Sequence, residues 1–181
     1  MKPLDLWTRF REELLTELRS RLSAPEVLAW CLGATADAAK RTSLFTLKDG
    51  VLDRAAQHLQ GMELVLSRGS NRAEDYLRID ATIRDTDGYP QVFIEVENRL
   101  SDTQREVEKL TYVRSPLRVL ITYGSRWPDE QRIEEWRSQV SRCQRNWLAE
   151  SPEVVYGFAI LAADSSNTHL ELHTFAWNQP G

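Results

Sequence analysis

The chain is short of cysteine, of lysine and of long apolar runs, and each shortage excludes something. Its two cysteines, Cys31 and Cys143, lie far apart, with no CxxC pair and no clustered histidines. That argues against a zinc site and fits a cytoplasmic protein with free thiols. No apolar run approaches the roughly 20 residues that span a bilayer, so no membrane partner is expected. The N-terminus, MKPLDLWTRFREELL, has neither the unbroken apolar stretch nor the small-residue cleavage site of a signal peptide. Of the 23 basic residues 19 are arginine, whose planar fork suits phosphate, although a compositional bias of the source genome is the simpler reading. Net charge is −4, which argues against a protein that coats nucleic acid non-specifically but leaves room for a local basic groove. Glycine-rich phosphate loops are also absent: SRGSN at 67–71 is a loop without the strand and helix that would frame it.

What is present is one domain's worth of ordinary globular sequence, 181 residues with 41% apolar and 28% charged, enough to bury a core without staples. Residues 4–22 place Leu4, Trp7, Leu14 and Leu18 on one helical stripe. A second helix is predicted from Ser23, which has capping-box spacing to Glu26 and Pro25 in its first turn, to about Lys40. A third, short helix runs from Gly50 to Leu59, stopped by Gly61. From Met62 the period changes to two: MELVLS, YLRIDATI and VFIEV read as strands. SDTQREVEKLTYVR follows as a helix with Ser101 and Gln104 in capping-box spacing, and RVLITY (118–123) as a buried strand. After Pro128 a long helix carries Ile133, Trp136, Val140, Cys143 and Trp147 on a seam, and VVYGFAILAA and LELHTFAW supply two last strands. The order predicts an α/β domain, a central mixed β-sheet flanked by helices, over the whole of 1–181: an N-terminal helical extension (1–48), a core (50–123), and a C-terminal helix with two strands (124–181).

The Asp87-Gly88 pair predicts a two-residue hairpin between the second and third strands. With that loop, partner numbers sum to 175, so Asp80 faces Glu95 and Arg78 faces Glu97. Alternation then puts Asp80, Glu95 and Glu97 on one side of the sheet. Like charges opposed across two strands repel, and a proton, Arg78 or a divalent cation must offset them. Mg²⁺ takes oxygen ligands, often one or two carboxylates with water and phosphate. An ordinary exposed cross-strand pair between Arg78 and Glu97 is the plainer reading of the spacing alone.

A strand with Asp80 in LRIDATI, a hairpin, a strand with Glu95 and Glu97 in VFIEVEN, the helix DTQREVEKLTYV and the strand RVLITY together resemble the PD-(D/E)xK nuclease superfamily, over about residues 50–123. The resemblance implies a restriction-endonuclease-like αβββαβ core and a Mg²⁺- or Mn²⁺-dependent nuclease. Its substrate would be DNA, with RNA still open, and a homodimer is a family-level expectation. Carried over residue by residue, Asp80 and Glu95 resemble the metal ligands, with the Val96 backbone carbonyl completing the site. Glu97 stands where the family usually has lysine. A carboxylate there can act as base toward the attacking water or as a further ligand, but cannot bring positive charge to the transition state. Some members move the missing group to the following helix, where Lys109 is the lysine at hand; its plainer reading is a solvated helix residue. A catalytically silent member of the same fold, serving as a binding module, is the rival reading. The histidines 58, 169 and 173 are scattered, with His173 packed in a strand. Arg126, Arg132, Arg137, Arg142 and Arg145 are interleaved with Glu130, Glu134 and Glu135, as on a salt-bridged helix surface.

Overall fold

The computed structural model describes residues 1–22, 24–31, 38–46, 49–59, 61–66, 79–124, 130–145, 153–163 and 169–179. These form a six-stranded mixed sheet in which sequence neighbours are also spatial neighbours: β1 (Met62–Leu66), β2 (Ala81–Asp85), β3 (Pro90–Glu97), β4 (Leu117–Gly124), β5 (Val154–Ala163) and β6 (Leu170–Gln179). The first three strands pair antiparallel, β3, β4 and β5 run parallel, and β6 returns antiparallel on β5. Parallel neighbours need crossovers, and α5 (Thr103–Tyr112) and α6 (Glu130–Arg145) supply them.

Strand alternation divides the apolar side chains between two layers. Ile94, Val96, Val119, Ile121, Ala159 and Leu161 face one core, with α1 (Pro3–Leu22), α2 (Pro25–Cys31), α3 (Ala38–Thr46) and α4 (Val51–His58). Leu120, Tyr156, Phe158 and Ile160 face the other, under α5 and α6, where Trp136 and Phe158 stack with centroids 5.3 Å apart. Trp136 also donates its indole N–H to Thr103 Oγ1 at 3.0 Å, tying α6 to the start of α5. Among the described residues no helix is long and apolar enough to cross a membrane.

Several expectations are adjusted. Leu4 is exposed; the buried stripe of α1 is Leu6, Trp7, Phe10, Leu14 and Leu18, because the core ends one turn short of Leu4. The single helix expected from Ser23 to Lys40 is two described helices, α2 and α3, with 32–37 outside the described residues, as are Ser23, Arg78, Arg126, Pro128, Trp147 and the 67–71 loop. Ser101 is not the N-cap of α5: it lies in a 3₁₀ turn, Leu100–Asp102, and α5 opens behind it at Thr103 with Asp102 as N-cap. The strand expected over 76–83 begins at Ala81, just past Asp80.

The hairpin keeps the expected register by a different route. Asp85 N–H bonds Tyr89 O and Gly88 N–H bonds Asp85 O, so the loop has three residues, Thr86, Asp87 and Gly88. Only Gly88 has positive φ, +81°, whereas a type I′ turn would require it at Asp87 too. The longer loop shifts pairing by one, to Arg84↔Pro90, and a bulge at Gln91 shifts it back to Ile83↔Val92, Thr82↔Phe93 and Ala81↔Ile94. Asp85 holds the bulge: its carboxylate accepts from Asp87 and Tyr89 N–H and from Gln91 Nε2, the last at 2.7 Å.

Candidate functional site

The last regular pair of β2 and β3 is Ala81↔Ile94, so Asp80 stands one step beyond it, at the level of Glu95. The Asp80 carboxylate takes the place of the next ladder bond, accepting Val96 N–H at 2.8 Å. Pinned there by the backbone, it also shares a hydrogen bond with the Glu95 carboxyl. Glu95 is 1% exposed, because alternation sends it, like Phe93 two residues earlier, beneath α5. The sequence-predicted pair is therefore brought together, and Val96 is held beside it in the ladder to Ile121.

Helix α5 closes the site from above. Val107 and Leu110 are its buried apolar contacts, and Glu106 and Lys109 each stand one residue earlier, on the border of that face. Lys109 Nζ lies 2.7 Å from Glu95 Oε1 and 2.6 Å from Glu106 Oε2. Lys109 is thus not a solvated helix residue: its side chain is only 22% exposed, and it bridges strand and helix. Glu106, which the sequence reading passed over, completes the cluster.

Glu97 does not join it in this way. Its carboxylate accepts Arg99 N–H at 2.9 Å, and its carbonyl accepts the Thr122 hydroxyl at 2.9 Å, bonds that fasten the end of β3. Two of the histidines gather elsewhere: His169 and His173 each pair with Glu171, at 3.5 and 3.2 Å, at the start of β6. On α6 the pairs Arg132–Glu135 and Arg137–Glu134 bear out a salt-bridged surface.

The electrostatics follow from burial. Loss of water pushes the Glu95 carboxyl up to about 10, the charge of Asp80 adds to this, and Lys109 opposes it. Burial also raises Asp80, with the bonds from Val96 N–H and Glu95 working the other way. Lys109 is itself raised: burial disfavours its charge, but the bonds to Glu106 and then Glu95 outweigh that. Both acids are pushed toward their protonated forms, so the pair favours a shared proton, which is one form of the offset that opposed carboxylates require.

The donor chemistry fits a hard divalent cation in place of that proton. Among the described residues, three carboxylates, Asp80, Glu95 and Glu106, lie around the Lys109 ammonium, which pairs with the latter two, and with all four ionised their formal charges sum to −2. No group of three or more His, Cys, Asp or Glu among the described residues is placed to hold a metal. The protein's side-chain share would therefore be two carboxylates, those of Asp80 and Glu95, as Mg²⁺ commonly accepts when water and phosphate fill the remaining positions. No protein-family model matches this chain, and no curated protein matches it.

Proposed function

We propose that the chain is a Mg²⁺- or Mn²⁺-dependent nuclease that hydrolyses phosphodiester bonds, in DNA before RNA, at a site of the PD-(D/E)xK kind. The observation that carries this reading is the ammonium of Lys109 beside Glu95. It supplies from α5 the positive charge that the family usually has two residues after the glutamate, where this chain has Glu97. Asp80 and Glu95 would hold the cation, with Val96 O the backbone candidate beside them. The cation would neutralise phosphate charge and acidify the attacking water. The residues do the rest: Val96 N–H fixes Asp80, the apolar cover of α5 keeps Glu95 out of bulk water, and Lys109 offers an N–H donor to a phosphate oxygen that approaches Glu95.

A second reading, a silent member of the same fold acting as a protein- or nucleic-acid-binding module, is favoured by the depth of Glu95 and by the Lys109 ammonium that already faces it. Calorimetric titration of Mn²⁺ into wild type and Asp80→Ala separates the two. Uptake by wild type that the variant loses, followed by Mg²⁺-dependent cleavage of plasmid DNA or RNA, supports the nuclease. Absence of uptake both alone and with a short oligonucleotide present would leave the binding module.

A further inference from the structure

Glu106 raises a question that the nuclease reading does not answer. Its carboxylate is the second acid on Lys109, three residues away on the same helix, and its side chain is 15% exposed. An i, i+3 pair on an open helix surface contributes little and needs no functional account. This pair is not on an open surface. It sits where α5 meets β3, and the ammonium it grips is the one that grips Glu95.

The geometry sets up a competition. Lys109 Nζ is 2.7 Å from a Glu95 oxygen, and a cation held by Asp80 and Glu95 must draw on that same carboxylate. The ammonium has to yield Glu95 without being stranded in a half-buried position, since an uncompensated charge there is costly. Glu106, at 2.6 Å, is a second acid on the same ammonium. We infer that Glu106 is a positioning residue: it holds the Lys109 ammonium at the border of the site, so that Glu95 can be released to a divalent cation while the positive charge stays beside it. This inference rests on the metal-dependent reading above and deepens it, adding to Asp80 and Glu95 a residue whose one ion pair in the cluster is with Lys109 and whose charge otherwise reaches the two acids only as a field.

That indirect action gives the test its form. Mn²⁺ affinity is measured by calorimetry for wild type, Glu106→Gln, Lys109→Met and the double variant, with Glu106→Asp as the conservative control, after circular dichroism has confirmed that each is folded. Groups that orient metal ligands from behind typically cost 10- to 100-fold in affinity when removed. Glu106→Gln should weaken Mn²⁺ binding about tenfold where Lys109 is present and less than about threefold where it is Met, and Glu106→Asp should restore most of the loss. An equal loss in both backgrounds would make Glu106 a ligand or a simple field effect and overturn the inference. No loss in either would make the pair an ordinary helix surface contact and overturn it equally. If wild type takes up no Mn²⁺, the metal-dependent reading fails first and the inference falls with it, a result distinct from both others.

Discussion

Lys109 and Glu95 meet at 2.7 Å across the junction of α5 and β3, the lysine at the rim of the sheet and the glutamate almost wholly beneath the helix. Strand alternation sends Glu95 to the α5 side, and helical periodicity brings Lys109 down one residue before the buried Leu110. Neither residue is placed by a loop. A site built on two regular elements holds its geometry better than one built on loops.

The first prediction tests the proposed nuclease reading. On that reading Lys109→Met should lower metal-dependent cleavage of DNA by about 100-fold or more, the usual cost of deleting one preorganised electrostatic group. Glu97→Gln should change it by less than about threefold, because Glu97 is engaged with Arg99 N–H rather than with Asp80 or Glu95. Rates under single-turnover conditions with Mg²⁺ decide the matter. A larger loss in the Glu97 variant would return the role to β3.

The second concerns pH. Folded Glu95 titrates near 10 against an ordinary 4.5, so between those values the folded chain holds a proton that the unfolded chain has released. Folding is then favoured most at the acid end of that window and loses stability as pH climbs toward about 10. Asp80, also raised, adds to the same trend. Glu95→Gln keeps a donor toward Asp80 but has no proton to lose. Its melting temperature should fall much less than that of wild type between pH 6 and pH 9, and a parallel fall in the two proteins would place the proton elsewhere.

How far all this can be read from the sequence depends on the residue. The facing of Asp80 and Glu95 is legible because alternation and register have fixed periods, although the register is right only because the bulge at Gln91 cancels a loop one residue longer than Asp87-Gly88 implies. The sheet order is legible because each strand carries a clear β pattern and the two crossovers a helical one. Lys109 and Glu106 are harder to place. Their spacing of three shows that they share a helix face, but whether that face borders solvent or β3 depends on how the helix is rolled against the sheet. A signal for it exists: Val107 and Leu110, the apolar neighbours of each, mark the buried side. That β2 opens only at Ala81 is not legible at all, since YLRIDATI is an unbroken β pattern; at Asp80 a side-chain bond to Val96 takes the place of the ladder.

The third prediction is structural. The Trp7 indole of α1 lies flat against β5 at Gly157, where an added Cβ would fall 2.2 Å from a ring carbon. Trp7 is 4% exposed and seated in the first core, with little room to retreat. Gly157→Ala should cost about 3 kcal/mol, the upper part of the overpacking range, by urea denaturation. Adding Trp7→Leu to that variant should recover part of the loss, whereas Trp7→Leu alone in the wild-type background should destabilise. Equal stability of Gly157→Ala and wild type would show that α1 packs differently.

The last prediction turns on a second buried cation. Arg118, on the same face of β4 as Leu120, is 7% exposed; its guanidinium bonds the Tyr156 hydroxyl and lies 5.1 Å from the centroid of that ring. Its Nε has no hydrogen-bond partner among the described residues, and burial lowers its pKa, against the pull of Tyr156. Removing one member of such a pair strands the other, while replacing both by apolar groups removes the desolvation cost along with the bond. Tyr156→Phe should therefore destabilise by about 1–3 kcal/mol. Arg118→Met with Tyr156→Phe should recover to wild-type stability or above it, so the two changes are strongly non-additive. Urea denaturation of the two single variants and the double gives the coupling directly. Additive losses would mean that Arg118 is stabilised by something other than Tyr156, and that the charge on this face of the sheet is not the liability its burial implies.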